Sequence, residues 1–267
     1  MLTQTTFQGK LSKTSDLFIP FIVAGDPTPD LTIDLALKLQ EAGADILELG
    51  VPYSDPLADG PTIQRAAKRA LHHGMSLTGA IELIPKMREH GLTIPVVIFT
   101  YYNPVMRLGE EKFFDLLSEN GAEGVLIPDL PHEESESVRK FALSHDIEYI
   151  SLVAPNSEER IQKIAEQARG FLYCVSTLGV TGGENTLSSE VVEFIGKVKQ
   201  HSKVPVGVGF GISTNEDVRM IREHADGVII GSKIIRLIES EVDALVDENS
   251  RKNALETFYR NVQDLVE

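Results

Sequence analysis

The stretch that decides the fold runs from residue 18 to residue 50 and reads FIPFIVAGDPTPDLTIDLALKLQEAGADILELG. It contains two short apolar runs, beginning near Phe18 and Ile46, which are rich in β-branched residues and too brief for helices. Between them, apolar residues recur at helical spacing on one face, namely Leu31, Leu35, Ala36, Leu39 and Ala42. Gly43 follows as a helix stop. The stretch therefore predicts a strand, a surface helix over a buried sheet, and a second strand.

The same unit recurs along the chain. Further apolar runs begin near Val96, Val125, Tyr149, Phe171, Val204 and Gly227, which makes eight predicted strands. Amphipathic segments lie between most of them, Gly121 ends another helical pattern, and Ser213 to Glu216 predict a capping box. Eight similar βα units with continuous apolar strands favour a closed parallel (β/α)8 barrel (TIM barrel) over the alternative, an open doubly wound sheet.

The length of 267 residues suits one such barrel, which needs about 250. No linker, charge block or composition shift divides the chain, so we predict a single catalytic domain over residues 1–267. The starts of the second and third strands are 50 residues apart, and two helical patterns fill the gap, Ile63 to His72 and Leu77 to His90. We therefore expect extra helices after the second strand, at the N-terminus and at the C-terminus.

Composition excludes several classes of function. With 25 Lys and Arg against 40 Asp and Glu, the net charge is −15, which is the wrong sign for binding nucleic acid or an anionic membrane. The one cysteine, Cys174, can form no internal disulfide or multi-thiolate metal site and reads as a core residue. Without a membrane span or a targeting segment near residues 1–14, a cytoplasmic location is expected.

Two carboxylates are candidates for catalysis. Glu48 lies inside an apolar strand, where an ionised carboxylate is costly to desolvate, so it is either a buried structural acceptor or a working acid and base. Asp59 follows in a loop rich in Pro and Gly, where Asp is also an ordinary turn residue.

Glycine clusters after the sixth, seventh and eighth strands predict a phosphate site at one rim, although each alone is also a tight turn: Gly179 to Gly183, Gly209 to Gly211, and Gly231 with Ser232. Tyr101 and Tyr173 end strands and suit either the core or a pocket for a flat ligand. His72, His73 and His132 lack the spacing of metal ligands. No Lys lies within the eight apolar runs, and Lys233 follows Ser232 in the next predicted helix, so a Schiff-base aldolase lacks its amine.

The segment Leu47 to Pro61, LELGVPYSDPLADGP, closely resembles the signature of the tryptophan synthase alpha subunit family. The resemblance extends over almost the whole chain, through Pro20 to Pro27, Tyr101 to Pro104, Pro128 to Pro131, Gly179 to Gly182, and Gly209 to Gly211. It implies a (β/α)8-barrel lyase that cleaves indole-3-glycerol phosphate to indole and glyceraldehyde 3-phosphate in L-tryptophan biosynthesis. It also implies that the chain holds no metal or organic cofactor.

By the same resemblance, Glu48 and Asp59 are the catalytic pair. Phe21, Tyr101 and Tyr173 are implied to form the indole and glycerol pocket, and Gly182, Gly211, Gly231 and Ser232 the phosphate site. The segment from Thr177 to Leu187 resembles a mobile lid in which Thr181 can hydrogen-bond Asp59. Many relatives carry Arg at the position of Thr177, so this departure concerns how a closed lid would be held and not which reaction is expected.

The resemblance implies a partner as well. The loops Pro52 to Pro56, Asn103 to Met106 and Asp129 to Pro131 are expected to meet a beta subunit in an alpha2beta2 heterotetramer, and rigid loops are the alternative interpretation. The beta subunit would hold pyridoxal phosphate and accept indole through a tunnel. Two other functions stay open, a phosphosugar isomerase and a non-catalytic subunit that binds a phosphate ligand and regulates a partner.

Overall fold

The computed structural model describes residues 7–11, 13–155, 158–175, 188–209 and 211–267. Its strands pair in parallel and alternate with helices along the chain. They are β1 (Leu17–Val23), β2 (Leu47–Gly50), β3 (Val96–Phe99), β4 (Gly124–Leu126), β5 (Glu148–Tyr149), β6 (Ser151–Val153), β7 (Leu172–Val175), β8 (Val206–Gly209) and β9 (Gly227–Ile230). All eight predicted strands are present, and each begins within two residues of its predicted start.

The sheet closes on itself. Its strand order is β5-β4-β3-β2-β1-β9-β8-β7-β6, and β5 and β6 are two parts of one barrel strand separated only by Ile150. β5 pairs with β4 and β6 pairs with β7, while the Ile150 N–H donates to the Val125 carbonyl at 2.8 Å. Because both ends of the strand order are the same barrel strand, the fold is the predicted (β/α)8 barrel and not an open sheet.

Helices surround the barrel in the order expected for βα units. They are α1 (Phe7–Lys10), α2 (Pro29–Glu41), α3 (Pro61–His72), α4 (Leu77–Glu89), α5 (Tyr102–Leu108), α6 (Glu110–Glu119), α7 (Glu136–Ser144), α8 (Glu158–Gln167), α9 (Ser189–His201), α10 (Asn215–Arg222), α11 (Ser232–Ser240), α12 (Val242–Val246) and α13 (Arg251–Val266). The predicted extra helices are α1 at the N-terminus, α3 after β2, and α12 and α13 at the C-terminus.

The position of α3 explains the long gap after the second strand. α4 returns the chain to β3 and packs against α2 and α6, as an ordinary barrel helix does. α3 packs instead against β1 and α11. It starts with Pro61 at its first turn, where the missing N–H costs no hydrogen bond. The insertion therefore places α3, which follows β2, beside α11, which follows β9.

The barrel interior is a compact apolar cluster, separate from the larger one between sheet and helices. Side chains alternate along each strand, so that Leu47 and Leu49 face the helices while Ile46 faces inward. At the amino end of the barrel, Phe7 of α1 is buried and stacks on Phe171, with ring centroids 6.4 Å apart. This end is thus closed by apolar packing, and any opening for a ligand has to be at the carboxyl end.

One predicted helix start was wrong by a residue. The capping box at α10 consists of Thr214 and Asp217, not Ser213 and Glu216. Thr214 has the extended backbone of an N-cap (φ −129°, ψ 161°), and its hydroxyl accepts from the Asp217 N–H at 3.2 Å. The Asp217 carboxylate accepts in turn from the Thr214 N–H at 2.8 Å. Sequence spacing alone did not separate two neighbouring hydroxyl residues.

Candidate active site at the carboxyl end of the barrel

A cavity of about 410 Å³ opens at the carboxyl ends of the strands. Its wall is mostly apolar, formed by side chains such as Phe21, Ile63, Phe99, Leu130, Leu152, Val153 and Ile164. Only a few polar groups reach it, among them Glu48, Asp59, His132, Arg160 and Tyr173. An apolar hollow with a few convergent polar groups is typical of a site for a small, partly aromatic ligand.

Glu48 is the buried carboxyl of this cavity. It lies on β2 in register with Phe21 of β1 and Val97 of β3, and it shares the inward direction of Ile46. The residue is 1% exposed, and no described group hydrogen-bonds its Oε1 atom. Burial raises the pKa of Glu48 to about 8, because the charged form loses its hydration without gaining a cation. The side chain is therefore protonated and poised for proton transfer near neutral pH.

Asp59 reaches the cavity from the loop between β2 and α3. The Tyr101 hydroxyl hydrogen-bonds its carboxylate and also accepts from the Ala58 N–H at 3.1 Å. Burial raises the pKa of Asp59, and the Tyr101 hydrogen bond opposes that rise. The Gln64 amide donates to the Asp59 carbonyl at 2.8 Å and ties the loop to α3. A buried tyrosine thus holds the second carboxylate in place from behind the wall.

The predicted aromatic residues have different positions. Phe21 and Tyr173 line the cavity, and Phe21 packs edge-on against Phe99 with ring centroids 5.3 Å apart. The Tyr173 hydroxyl needs the glycine at position 209, because a Cβ there would lie 2.6 Å from the oxygen. Burial and the neighbouring Glu48 raise the pKa of Tyr173 well above its usual range. Tyr101, by contrast, contacts the Asp59 loop and is not part of the wall.

The predicted phosphate residues lie partly at this cavity. Gly231 lines it and is the N-cap of α11, so Ser232 opens a helix whose first N–H groups have no acceptor within the helix. Gly211 follows β8 with a backbone φ of +28°, a conformation that favours glycine. Gly182, Thr181 and the predicted lid from Thr177 to Leu187 lie outside the described residues.

His132 is a wall residue that sequence reasoning missed. The sequence indicates only that it lacks the spacing of a metal ligand, yet the structure places it in the cavity wall, 8% exposed. Neither ring nitrogen has a hydrogen-bond partner among the described residues, and burial lowers the pKa of the imidazole. The one available signal was its position after the fourth strand, where barrel loops form sites.

Metal-binding clusters and membrane-spanning helices are both absent from the described part of the chain. No group of three or more His, Cys, Asp or Glu side chains there is arranged to hold a metal ion. No helix there has the length and apolar character that crossing a lipid bilayer requires. Cys174 is fully buried in β7, as predicted for a core residue.

The closed barrel and the cavity at its carboxyl end define a (β/α)8-barrel enzyme. The family model described as tryptophan synthase alpha chain matches residues 7–267, and the chain therefore belongs to that family. A tryptophan synthase alpha chain from a Geobacillus species is 60% identical over 255 residues, which are 96% of this chain and 97% of that one. Members of the family are lyases that cleave indole-3-glycerol phosphate to indole and glyceraldehyde 3-phosphate.

Solved structures agree with the family assignment. Tryptophan synthase subunit alpha from Legionella pneumophila superposes with a TM-score of 0.83 at 35% identity, covering 94% of this chain and 91% of that one. A chain of the tryptophan synthase a2b2 complex from Pyrococcus furiosus superposes with a TM-score of 0.84 at 34% identity, covering 95% and 99%.

Proposed function

We propose that Glu48 and Asp59 carry the family's reaction in this chain, the cleavage of indole-3-glycerol phosphate to indole and glyceraldehyde 3-phosphate in L-tryptophan biosynthesis. The main support is the fully buried Glu48 carboxyl, which faces the cavity with a pKa raised to about 8. A general acid needs such a pKa if it is to hold a proton at neutral pH and release it to substrate.

The first step is protonation of the indole ring. Protonated Glu48 donates its proton to C3, the ring carbon that bears the glycerol chain, and the new C3–H bond leaves a positive charge on the ring. Asp59 accepts a hydrogen bond from the indole N–H and stabilises this cation, whose charge develops on the way to bond cleavage and is absent from the bound substrate. The Tyr101 hydroxyl fixes the direction of that carboxylate.

The second step breaks the carbon–carbon bond. Glu48, now a carboxylate, takes the proton of the hydroxyl on the carbon attached to C3. That carbon becomes the aldehyde of glyceraldehyde 3-phosphate, and the electron pair of the broken bond returns to the ring and neutralises it. Glu48 ends protonated, as it began, so the cycle needs no external acid or base.

The cavity suits this substrate in size and direction. Around the barrel, β9 lies opposite β4, so Gly231 and the loop that carries His132 are on opposite sides. We place the phosphate at Gly231, Ser232, Gly211 and Gly182, and the indole ring toward Phe99 and Pro128. Phe21 and Tyr173 flank the bond that breaks. Backbone amides bind the anion here, so a chain of net charge −15 needs no basic patch for it. Thr181 on a lid over residues 177–187 would complete the site by excluding water.

The partner is a tryptophan synthase beta subunit in an alpha2beta2 assembly. One of the three predicted docking loops, Asn103 to Met106, is not a loop but part of the helix α5. Hydrogen bonds link α5 to the other two: Asn103 donates to the Tyr53 hydroxyl at 2.8 Å, and Asp129 accepts from the Tyr102 N–H at 2.9 Å. Leu57, which follows the first of these loops, and Met106 on α5 are 84% and 57% exposed. Large exposed apolar side chains on a braced loop and a short helix suit a protein interface.

The proposal also covers the domain organisation, the cofactors and the location of the enzyme. Residues 1–267 form a single catalytic domain. The chain uses no metal or organic cofactor, since each proton and charge of the two steps has an acceptor in Glu48 or Asp59, and pyridoxal phosphate belongs to the beta subunit that consumes indole. The enzyme works in the cytoplasm.

The direct experiment incubates the purified chain with indole-3-glycerol phosphate and measures indole, with and without a beta subunit. We expect indole in both reactions. We expect Glu48→Gln to lower kcat by about 10² to 10⁴-fold, because it removes the proton donor and acceptor. Asp59→Asn should lower mainly kcat, by about 10²-fold, because the positive ring charge is present in the transition state but not in the bound substrate.

The alternatives predict other results. A phosphosugar isomerase would release no indole and would interconvert a phosphosugar instead. A regulatory subunit would bind the phosphate ligand and change a partner's rate without turnover. Near-normal turnover by Glu48→Gln would refute the assignment of that residue but leave the reaction itself standing.

A further inference from the structure

Four charged side chains at the rim form one cluster that the proposed chemistry does not use. They are Asp26 after β1, Arg65 and Arg69 on α3, and Glu239 on α11. Arg69 pairs with Asp26 through two hydrogen bonds, Nε to Oδ1 at 2.6 Å and Nη2 to Oδ2 at 3.0 Å. Its remaining nitrogen, Nη1, donates to Glu239 Oε1 at 2.9 Å. Arg65 donates to both oxygens of Glu239, at 2.8 and 2.7 Å. One guanidinium thus connects three elements.

The cluster is more than a surface ion pair. The Asp26 side chain is fully buried, and that burial raises its pKa against the opposing effect of Arg69. The two arginines hold the pKa of Glu239 at about 2, so it stays ionised. Planar guanidinium groups with paired hydrogen bonds fix direction as well as distance, which a lysine cannot do.

The two helices that the cluster joins begin at opposite parts of the proposed substrate site. α3 starts at Pro61, two residues after Asp59, and α11 starts at Ser232 in the phosphate region. Arg69 lies about two turns into α3, and Glu239 about two turns into α11. The helices pack side by side, so a shift of one against the other changes the separation of their first residues.

We propose that Arg69 is a positioning residue that locks α3 to α11 through Glu239 and to β1 through Asp26. This lock keeps the Asp59 carboxylate at a fixed distance from the phosphate-binding start of α11. The inference rests on the proposed function, because it concerns a substrate that is held by its phosphate and must present its ring nitrogen to Asp59.

The reaction is sensitive to that distance. A substrate anchored at one end transmits any change in the anchor to its reacting atoms, and a misplacement of about 1 Å can cost 10²-fold in rate. Binding of the phosphate end alone does not require Asp59. Loosening the lock should therefore lower kcat and leave the affinity for a ligand of the phosphate end nearly unchanged.

The test variant is Glu239→Gln, which weakens the link between α3 and α11 while the Asp26–Arg69 pair stays intact. Arg69→Met is the stronger variant, but it leaves a buried carboxylate unpaired and can unfold. The control is Arg169→Met. Arg169 pairs with Glu148 through two hydrogen bonds, at 2.7 and 3.1 Å, at the amino end of β5 and away from the cavity.

The measurements are kcat for indole release and the inhibition constant of glycerol 3-phosphate, a stable analogue of the phosphate end. We expect Glu239→Gln to lower kcat at least threefold, and a folded Arg69→Met at least tenfold, with the inhibition constant within about twofold. Arg169→Met should match the wild type in both.

Three results would overturn the positioning role. The first is an unchanged kcat in Glu239→Gln, and the second is a loss of glycerol 3-phosphate affinity in parallel with kcat. The third is a fall in kcat of the same size in Arg169→Met, since the loss of any ion pair would then have the same effect. If the wild-type chain itself releases no indole, the proposed function fails first and the inference fails with it.

Discussion

At the residue scale, Glu48 shows how one position departs from the pattern around it. Every neighbour in its strand is apolar, and alternation directs the carboxyl into the barrel with Ile46. From the sequence alone, the Glu48 carboxyl is either an acceptor satisfied by hydrogen bonds or a working acid. The unpartnered Oε1 and the cavity in front of it favour the second reading. That choice needed the surroundings of the side chain, which no local pattern contains.

We expect the Glu48→Gln variant to become more stable relative to the wild type as the pH rises. The folded pKa of about 8 lies above the ordinary 4.5, so between those values the unfolded chain has lost a proton that the folded chain keeps. Wild-type stability therefore falls with rising pH across that window, whereas glutamine does not titrate. The difference in unfolding free energy should grow by about 4 kcal/mol between pH 5 and pH 9.

Urea denaturation of both proteins at several pH values measures this difference. Asp59→Asn is the comparison variant. Its gain in stability with rising pH should be smaller, because the Tyr101 hydrogen bond stabilises the charged form of Asp59 and opposes the effect of burial on its pKa. A difference between Glu48→Gln and wild type that does not change with pH would mean that Glu48 is ionised in the folded protein.

At the element scale, the strands and most helices could be predicted because their signals are local. Apolar runs, helical periodicity and stop glycines each lie within a dozen residues; Gly43 and Gly121 adopt the left-handed backbone, with φ of +93° and +72°, that a helix stop requires. The sequence also predicted an excess after the second strand. It did not show that α3 packs on β1 and α11, because that depends on contacts between segments some 170 residues apart, such as Arg65 with Glu239.

The start of α10 offers a test at this scale. We expect Thr214→Ala to lower the free energy of unfolding by about 1 kcal/mol, since it removes the hydroxyl that accepts from the Asp217 N–H. The control is Ser213→Ala, at the position where the sequence placed the cap. Its exposed hydroxyl accepts from no N–H of the helix and only donates to the Asp217 carboxylate at 3.1 Å, so its loss should cost less than about 0.5 kcal/mol. Chemical denaturation of the two variants decides between them, and equal costs would contradict the assigned cap.

At the scale of the whole molecule, one end of the barrel is closed and the other is open. Phe7 fills the amino end, while Gly231, both carboxylates and the loop from Asp129 to Pro131 lie toward the carboxyl end. The barrel, its site-bearing end and the candidate carboxylates were all predictable, because a closed parallel barrel brings the ends of its strands together. The roles of Tyr101, which hydrogen-bonds Asp59, and of His132, which lines the cavity, could not be predicted, because the sequence does not show which side of the cavity wall a residue occupies.

The open end leads to a prediction about assembly. We expect Met106→Glu to weaken binding of a tryptophan synthase beta subunit at least tenfold, because it puts a charge on an exposed apolar side chain of the proposed interface. Leu143→Glu is the matched control: Leu143 is 61% exposed but lies near the end of α7, outside the docking loops. Isothermal titration calorimetry measures both affinities. An unaffected Met106→Glu variant, or equal losses in the two variants, would place the interface elsewhere.

The single thiol of the chain has a practical consequence. Cys174 is completely enclosed in β7, and burial raises its pKa far above that of a free thiol, so the reactive thiolate is suppressed in the native protein. Ellman's reagent should therefore modify the chain only when it unfolds, and the rate of labelling then measures the rate of global unfolding. Because Cys174 does not react in the folded protein, a cysteine introduced at Leu57 would be the sole attachment point for a fluorophore. Energy transfer from that fluorophore would then report the approach of a beta subunit.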